Sequence, residues 1–210
     1  MNVPETGEQR RQLVHTRAYD VAAYREPGDR LRVVGRVHDQ KPPGIYIEGD
    51  DQAVSIHDMV LELVVAHPGL VIVDAQARMD THPHLGCPNI LPDYGKLVGL
   101  SVARGFSPKV LEALGGPRGC AHITALVLAM APVVIQSLWV FRQEVEPLAA
   151  DASPEEIVER YRFNQDTCHV WAHDGEVFDR MRAGEAPGIS LPVRERLVQL
   201  GRDPSTWVRR

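Results

Sequence analysis

The chain reads as an α+β fold: an antiparallel sheet of three to four strands, helices packed on one face, and a C-terminal helical extension. Three observations predict it. From Val14 to Met79 apolar residues recur at every second position, the period of a half-buried strand. After "MDTHPHLGCPN" the period becomes helical. Strands first and helices second is the order of an α+β fold rather than of alternating βαβ units.

The elements follow in order. Residues 1–13 are polar and rich in turn formers, and are expected to form a disordered leader. Leu31, Val33, Gly35 and Val37 share one face, as do His57, Met59, Leu61, Leu63 and Val65, and then Val71, Val73, Ala75, Ala77 and Met79. Arg30, Arg32, Arg36, Glu62, Asp74, Gln76 and Arg78 fall on the solvent face. "HPGL" at 67–70 is a short turn and "QKPPGIYIEGDDQ" a longer loop. "LPDYGKLVGLSV" has helical spacing; in "SPKVLEALGG", Ser107 is the expected N-cap, Pro108 the first helical residue, and Gly115-Gly116 the stop. A long helix begins near Gly119, with Pro132 expected to kink it. Ser153-Pro154-Glu155-Glu156 is a capping pattern that opens a helix running towards His173, and "APGISLPVRERLVQLGRDPSTWVRR" is a proline-punctuated tail with one short helix. The expected organisation is an α+β metal-binding core over 14–150 and a helical extension over 151–210 packed on the same domain.

Composition narrows the function. The 210 residues carry 23 Lys and Arg against 28 Asp and Glu, a net charge of −5, and no basic stripe interleaved with aromatic residues suggests nucleic acid. The N-terminus has no apolar signal core. The greasiest stretch, Ile123 to Val140, contains Pro132 and Gln136 and reads as a buried helix rather than a membrane span, so a cytoplasmic location is expected. Three cysteines do not make a disulfide framework, and are packed, reactive or metal-bound. The expected partners are a small-molecule substrate and, at most, a second copy of the chain in a homodimer.

Soft and borderline ligands cluster in "SIHDM", "HPHLGC", "RGCAH" and "TCHVWAH". By alternation His57 points at the core, where an imidazole needs a partner for each ring nitrogen. Cys87 ends the loop after the last strand, and Cys120 opens the long helix, whose N-terminal dipole favours a thiolate. Thiolates with imidazoles suit Zn²⁺, then Fe²⁺. Packing competes with this reading, since free cysteine is commonly buried as a small hydrophobe. His122 is the natural fourth ligand, although two residues from Cys120 is a separation that shares no helical face; both reach one ion only if the helix starts between them. His169 and His173 share a face but lack a third ligand, and His82 and His84 read as surface residues. Asp58 belongs to the opposite strand face, as a supporting residue or, at an irregular strand head, a replacement for His122.

Taken together, "HDMVLELVV", "GLVIVDAQARMD", "GCPNI", "LVGLSV" and "VLEALGGPRGCAHITAL" over 57–126, with "TCHVWAHDGEVF" at 167–178, resemble an uncharacterised bacterial family, domain of unknown function 2889. More distantly, the core is similar to the iron–sulfur scaffold and zinc-dependent sulfurtransferase group. Those proteins place Cys-Gly-Asp at a strand head, a "GC" after the next strand, and "R..CA.L" at the start of a long helix. The resemblance implies that His57 stands for the aspartate, that Cys87 and Cys120 complete a metal triangle, and that Ser55 replaces the sulfur-accepting thiol.

The expected function is a metal-dependent lyase or hydrolase, most readily with zinc, acting on a small carbonyl or acyl substrate by Lewis-acid or metal-bound water chemistry. His57, Cys87, Cys120 and His122 are the expected metal ligands. Asp58 is the expected general base, His122 a labile catalytic ligand, and Ile123 to Val134 an apolar pocket wall. A metal or sulfur carrier docking on a partner protein, and a domain with a purely structural zinc, are the alternatives.

Overall fold

The structure, a computed structural model, describes residues 11–103, 105–138, 148–149 and 151–206. Most of the expected leader and Val140 lie outside the described residues. The chain divides into two compact units, Met1–Phe141 and Arg142–Arg210.

In the first unit β1 (Thr16–Glu26), β2 (Arg30–Lys41), β3 (Val54–Ala66) and β4 (Val71–Thr81) form an antiparallel sheet in sequence order. Its inner face is built by the alternation of β2 and β3. Leu31, Val33 and Val37, with Met59, Leu61, Leu63 and Val65, are at most 2% exposed. The outer face carries charge: Arg32 pairs with Glu26 and Glu62, and Arg36 with Asp58.

Two register shifts alter the parity read from sequence. Between Val64 and Val65 the pairing steps from Asp74 to Ile72, so Ile72 enters the core at 0% exposure while Val73 is 42% exposed. The expected inward places of Val71 and Val73 therefore pass to Ile72, because a bulge adds one residue to the strand. Between Asp39 and Gln40 the partner steps from His57 to Ser55. Ile56 is the extra residue, and Ser55 meets His38 Nε2 through its hydroxyl at 3.1 Å.

After the sheet, Cys87–Leu97 is a run of 3₁₀ turns rather than an α-helix. Pro88 and Pro92 deny the segment backbone donors, which suits short 3₁₀ turns better than an α-helix. The "VGLSV" that follows turns at Val98–Gly99 and then lies against the start of β4 through a bridge between Ser101 and Val71, with Gly99 N–H donating to Ile72 O at 2.8 Å and Val102 N–H to Leu70 O at 2.9 Å. Helix α1 (Phe106–Leu114) begins before Ser107. Its N-cap is Gly105, at φ 81°, and Phe106 is turned straight into the core. Gly115 ends it as expected.

Helix α2 (Ala121–Ser137) runs through Pro132 and lies across the inner face. Ile123, Leu126, Val127, Met130 and Val134 are all 0% exposed. The helix packs tightly over Gly35, where a Cβ would stand 2.7 Å from Met130 Sδ and 3.0 Å from Leu126 Cδ1. A side chain there would force Met130 and Leu126 to give way.

The second unit is helical. Helix α3 (Pro154–Tyr161) has the expected capping box: Ser153 Oγ accepts from Glu156 N–H, and Glu156 returns a carboxylate to Ser153 N–H. It ends well short of His173, in separate 3₁₀ turns over Arg162–Asn164 and His169–Trp171. With α4 (Glu176–Arg182) it buries Ile157, Phe178 and Met181 in a small core of their own. Helix α5 (Leu191–Gln199) is the short helix of the tail. Among the described residues no helix is long and apolar enough to cross a membrane.

Candidate metal centre

Asp39 continues the inward alternation of β2 one step beyond Val37, so a carboxylate occupies the next core position. It is 1% exposed. A buried carboxylate needs a counter-charge and full hydrogen bonding, and its neighbours in the sheet supply both. Arg17, directly opposite on β1, donates from Nε to Oδ1 and from a terminal nitrogen to Oδ2, each at 2.6 Å. His57, opposite on β3, sets Nδ1 3.0 Å from Oδ2. His15, just ahead of β1, has Nε2 3.9 Å from Oδ1. Burial pushes the Asp39 carboxyl up, but the hydrogen-bonded charge of Arg17, helped by His57 and His122, overrides it and holds the group at about 2.

The head of α2 brings the fourth element. The helix starts at Ala121 with Cys120 as N-cap, the start between Cys120 and His122 that lets both face one place. His122 Nε2 lies 3.6 Å from Asp39 Oδ2, its Nδ1 lies 3.6 Å from Cys120 Sγ, and its ring stacks on His57 with centroids 3.7 Å apart. Burial, then the proximity of His57 and Arg17, pushes the His122 pKa down, which favours the neutral imidazole that a metal requires.

Asp39, His57 and His122 each offer one ligand atom, all within 4.8 Å of one another. Ligand bonds of roughly 2.0–2.2 Å imply separations of about 3–3.5 Å between ligand atoms around one ion. The 3.0 and 3.6 Å approaches to Asp39 Oδ2 fit that spacing, and two imidazoles with one carboxylate are a donor set for Zn²⁺ or Fe²⁺. Arg17 would stand behind the carboxylate as an outer hydrogen-bond donor.

Of the expected ligands, His57 and His122 meet, Cys120 stands beside His122, and Cys87 does not join the cluster; it is half-buried at the start of the 3₁₀ run. Asp58 takes no part either. It lies on the outer face, gripped by Arg36 at 2.7 Å through Nε, and the hydrogen bond and charge of Arg36 push its pKa below the ordinary carboxylate value. Ser55 is turned to His38 by the bulge. Asp39 and Arg17 were missed in sequence, although one more step of the β2 alternation reaches the aspartate. His82 and His84 lie together in the loop after β4, His82 Nδ1 contacting His84 O at 2.9 Å. Among the described residues, no other group of three metal-ligating side chains forms.

A family model described as a protein of unknown function, DUF2889, matches residues 15–136. That span runs from just ahead of β1 into the last turn of α2 and contains the whole cluster. Among curated proteins and among solved structures, nothing matches the chain.

Proposed function

We propose, for a chain that belongs to the DUF2889 family of proteins of unknown function, a metal-dependent enzyme, a lyase or hydrolase acting on a small carbonyl or acyl substrate. Asp39, His57 and His122 would hold the metal, Zn²⁺ or Fe²⁺. The observation that carries the reading is the approach of two imidazoles and one carboxylate to a common point, from three separate elements and one of them buried. Three protein ligands leave a position for substrate. A divalent ion held there polarises a carbonyl oxygen or acidifies water.

The chain's own residues shape what can bind. Arg17 already cancels the charge of Asp39, so a divalent ion would leave two uncompensated positive charges at a half-buried site. Such a centre favours an anionic substrate, for example a carboxylate. Arg17 orients the Asp39 oxygens, and Cys120 meets the second nitrogen of His122 as an outer support.

A second reading, a metal carrier or scaffold docking on a partner, is favoured by a different observation. The residues expected to wall a pocket, Ile123 to Val134, spend their apolar face on the sheet, which leaves the triad without that wall.

Protein purified without added metal and analysed for elements should contain about one transition metal per chain. Metal that stays far below that after reconstitution overturns both readings. The Co²⁺-substituted form should change its visible spectrum when acetate or azide is added, as an open centre requires. A spectrum indifferent to small anions, with the metal passing readily to an apo-acceptor protein, selects the carrier.

A further inference from the structure

The head of α2 lacks the usual cap. Cys120 occupies the N-cap position and its side chain makes no capping hydrogen bond, so nothing of its own fixes the angle at which the chain enters the helix. The backbone is held instead from the 3₁₀ run. Cys120 N–H donates to the Tyr94 hydroxyl at 2.9 Å, and that hydroxyl donates to Cys120 O at 3.1 Å. The hydroxyl also lies 3.2 Å from Thr124 Oγ1, which donates to Leu114 O at 3.2 Å. Tyr94 is 0% exposed, and burial pushes its pKa up, so the phenol keeps the proton it donates. Gly119, just before, has no room for a side chain: a Cβ would stand 2.3 Å from Leu114 O.

We infer that Tyr94 is a positioning residue for the metal site proposed above: by holding both backbone polar groups of Cys120, its hydroxyl sets the direction in which His122 leaves the first turn of α2. The inference rests on the metal reading. His122 is the second residue of the helix and its Nε2 must reach the Asp39 oxygen. Ligand geometry tolerates errors of only about 0.5 Å. A free helix end frays; one bracketed through its N-cap by a buried phenol does not.

The test compares Tyr94→Phe with Thr124→Val. Tyr94→Phe deletes the oxygen that holds Cys120, while Thr124→Val deletes a neighbouring hydroxyl and leaves both Tyr94–Cys120 bonds. Tyr94→Phe should keep the wild-type circular dichroism, weaken Co²⁺ binding about 10–100-fold, the range for outer supports of a metal site, and alter the visible spectrum of bound Co²⁺. Thr124→Val should lower Tm and leave Co²⁺ affinity and spectrum unchanged. Wild-type affinity and spectrum in Tyr94→Phe overturn the inference, as does an equal loss in both variants, which would mark general loosening. Absence of Co²⁺ binding by the wild type is a failure of the metal reading itself. The histidine ring resonances then decide: Tyr94→Phe should shift those of His57 and His122 and not that of His173, and unmoved signals overturn the positioning role.

Discussion

Asp39 with His57 and Asp166 with His173 are the same chemical pair at the same distance, 3.0 Å from Nδ1 to carboxylate oxygen, in very different surroundings. Asp39 is buried and its partners come from β1, β3 and α2. Asp166 and His173 come from one short segment, with side chains 43% and 63% exposed, and there the carboxylate also accepts His173 N–H at 2.9 Å. The first pair is a convergence of distant elements; the second is a local turn. In both, neighbours hold the aspartate pKa down, Asp166 by the backbone and ring hydrogen bonds of His173 and Asp39 by a guanidinium against the cost of burial. A carboxylate that overcomes burial depends on its partners far more than one solvated by water.

The sharpest way to break this contrast is to remove each carboxylate. Asp39→Asn should abolish metal binding and destabilise the first unit by about 3 kcal/mol, the low end for breaking a buried pair because Arg17 keeps some access to water. Asp166→Asn should change stability by no more than about 1 kcal/mol and leave metal binding alone. Chemical denaturation and metal titration measure both. The pH dependence has a definite sign. The folded value of Asp39 lies below its unfolded value, so its stabilisation is whole above pH 4 and is lost as pH falls to about 2. Worth about 2 kcal/mol, that loss should appear in acid melts of the wild type and be missing in Asp39→Asn.

Next come the rings. His57→Ala and His122→Ala should each lower metal affinity more than about 100-fold, beyond the range of outer supports, whereas His173→Ala and His169→Ala should lower it not at all. If His173→Ala matches His122→Ala, the two regions are not distinct in chemistry. Smaller again are the thiols: Cys120→Ser should cost roughly 10-fold, and Cys87→Ala and Cys168→Ala nothing measurable by calorimetry. The smallest effect belongs to Asp58→Asn. It breaks a half-exposed ion pair with Arg36, worth about 0.5 kcal/mol, and should leave metal affinity untouched; loss of metal there would put Asp58 back in the site.

What could be read in sequence was whatever one local rule decides. The alternation of β2 and β3, the Gly115 stop and the capping box at Ser153 all follow from a few adjacent residues. Asp39 escaped because an aspartate at a strand end reads as the beginning of a turn, and its burial makes sense only once Arg17 is known to sit opposite. Cys87 was drawn into the site by motif likeness, while two prolines shape the segment that carries it. The bulges escaped because a register shift depends on the partner strand and leaves no mark of its own on the bulged residues.

Ile56 now has a meaning beyond its place in the ladder. A strand has only two sides, so everything ahead of His57 is assigned to one or the other by whether Ile56 is counted. Removing that single residue would restore regular pairing with Ser55 still opposite Gln40, on the side of His38 and away from Asp39, and would leave His57, Met59 and the rest of β3 in place. At this point of the chain, the pairing of the strands rather than their length decides what stands next to the carboxylate: a ladder that admitted Ile56 opposite Gln40 would turn Ser55 to the side of Asp39. A deletion there would leave the site as it is, and substitutions at Ser55 act only on the far side of the sheet.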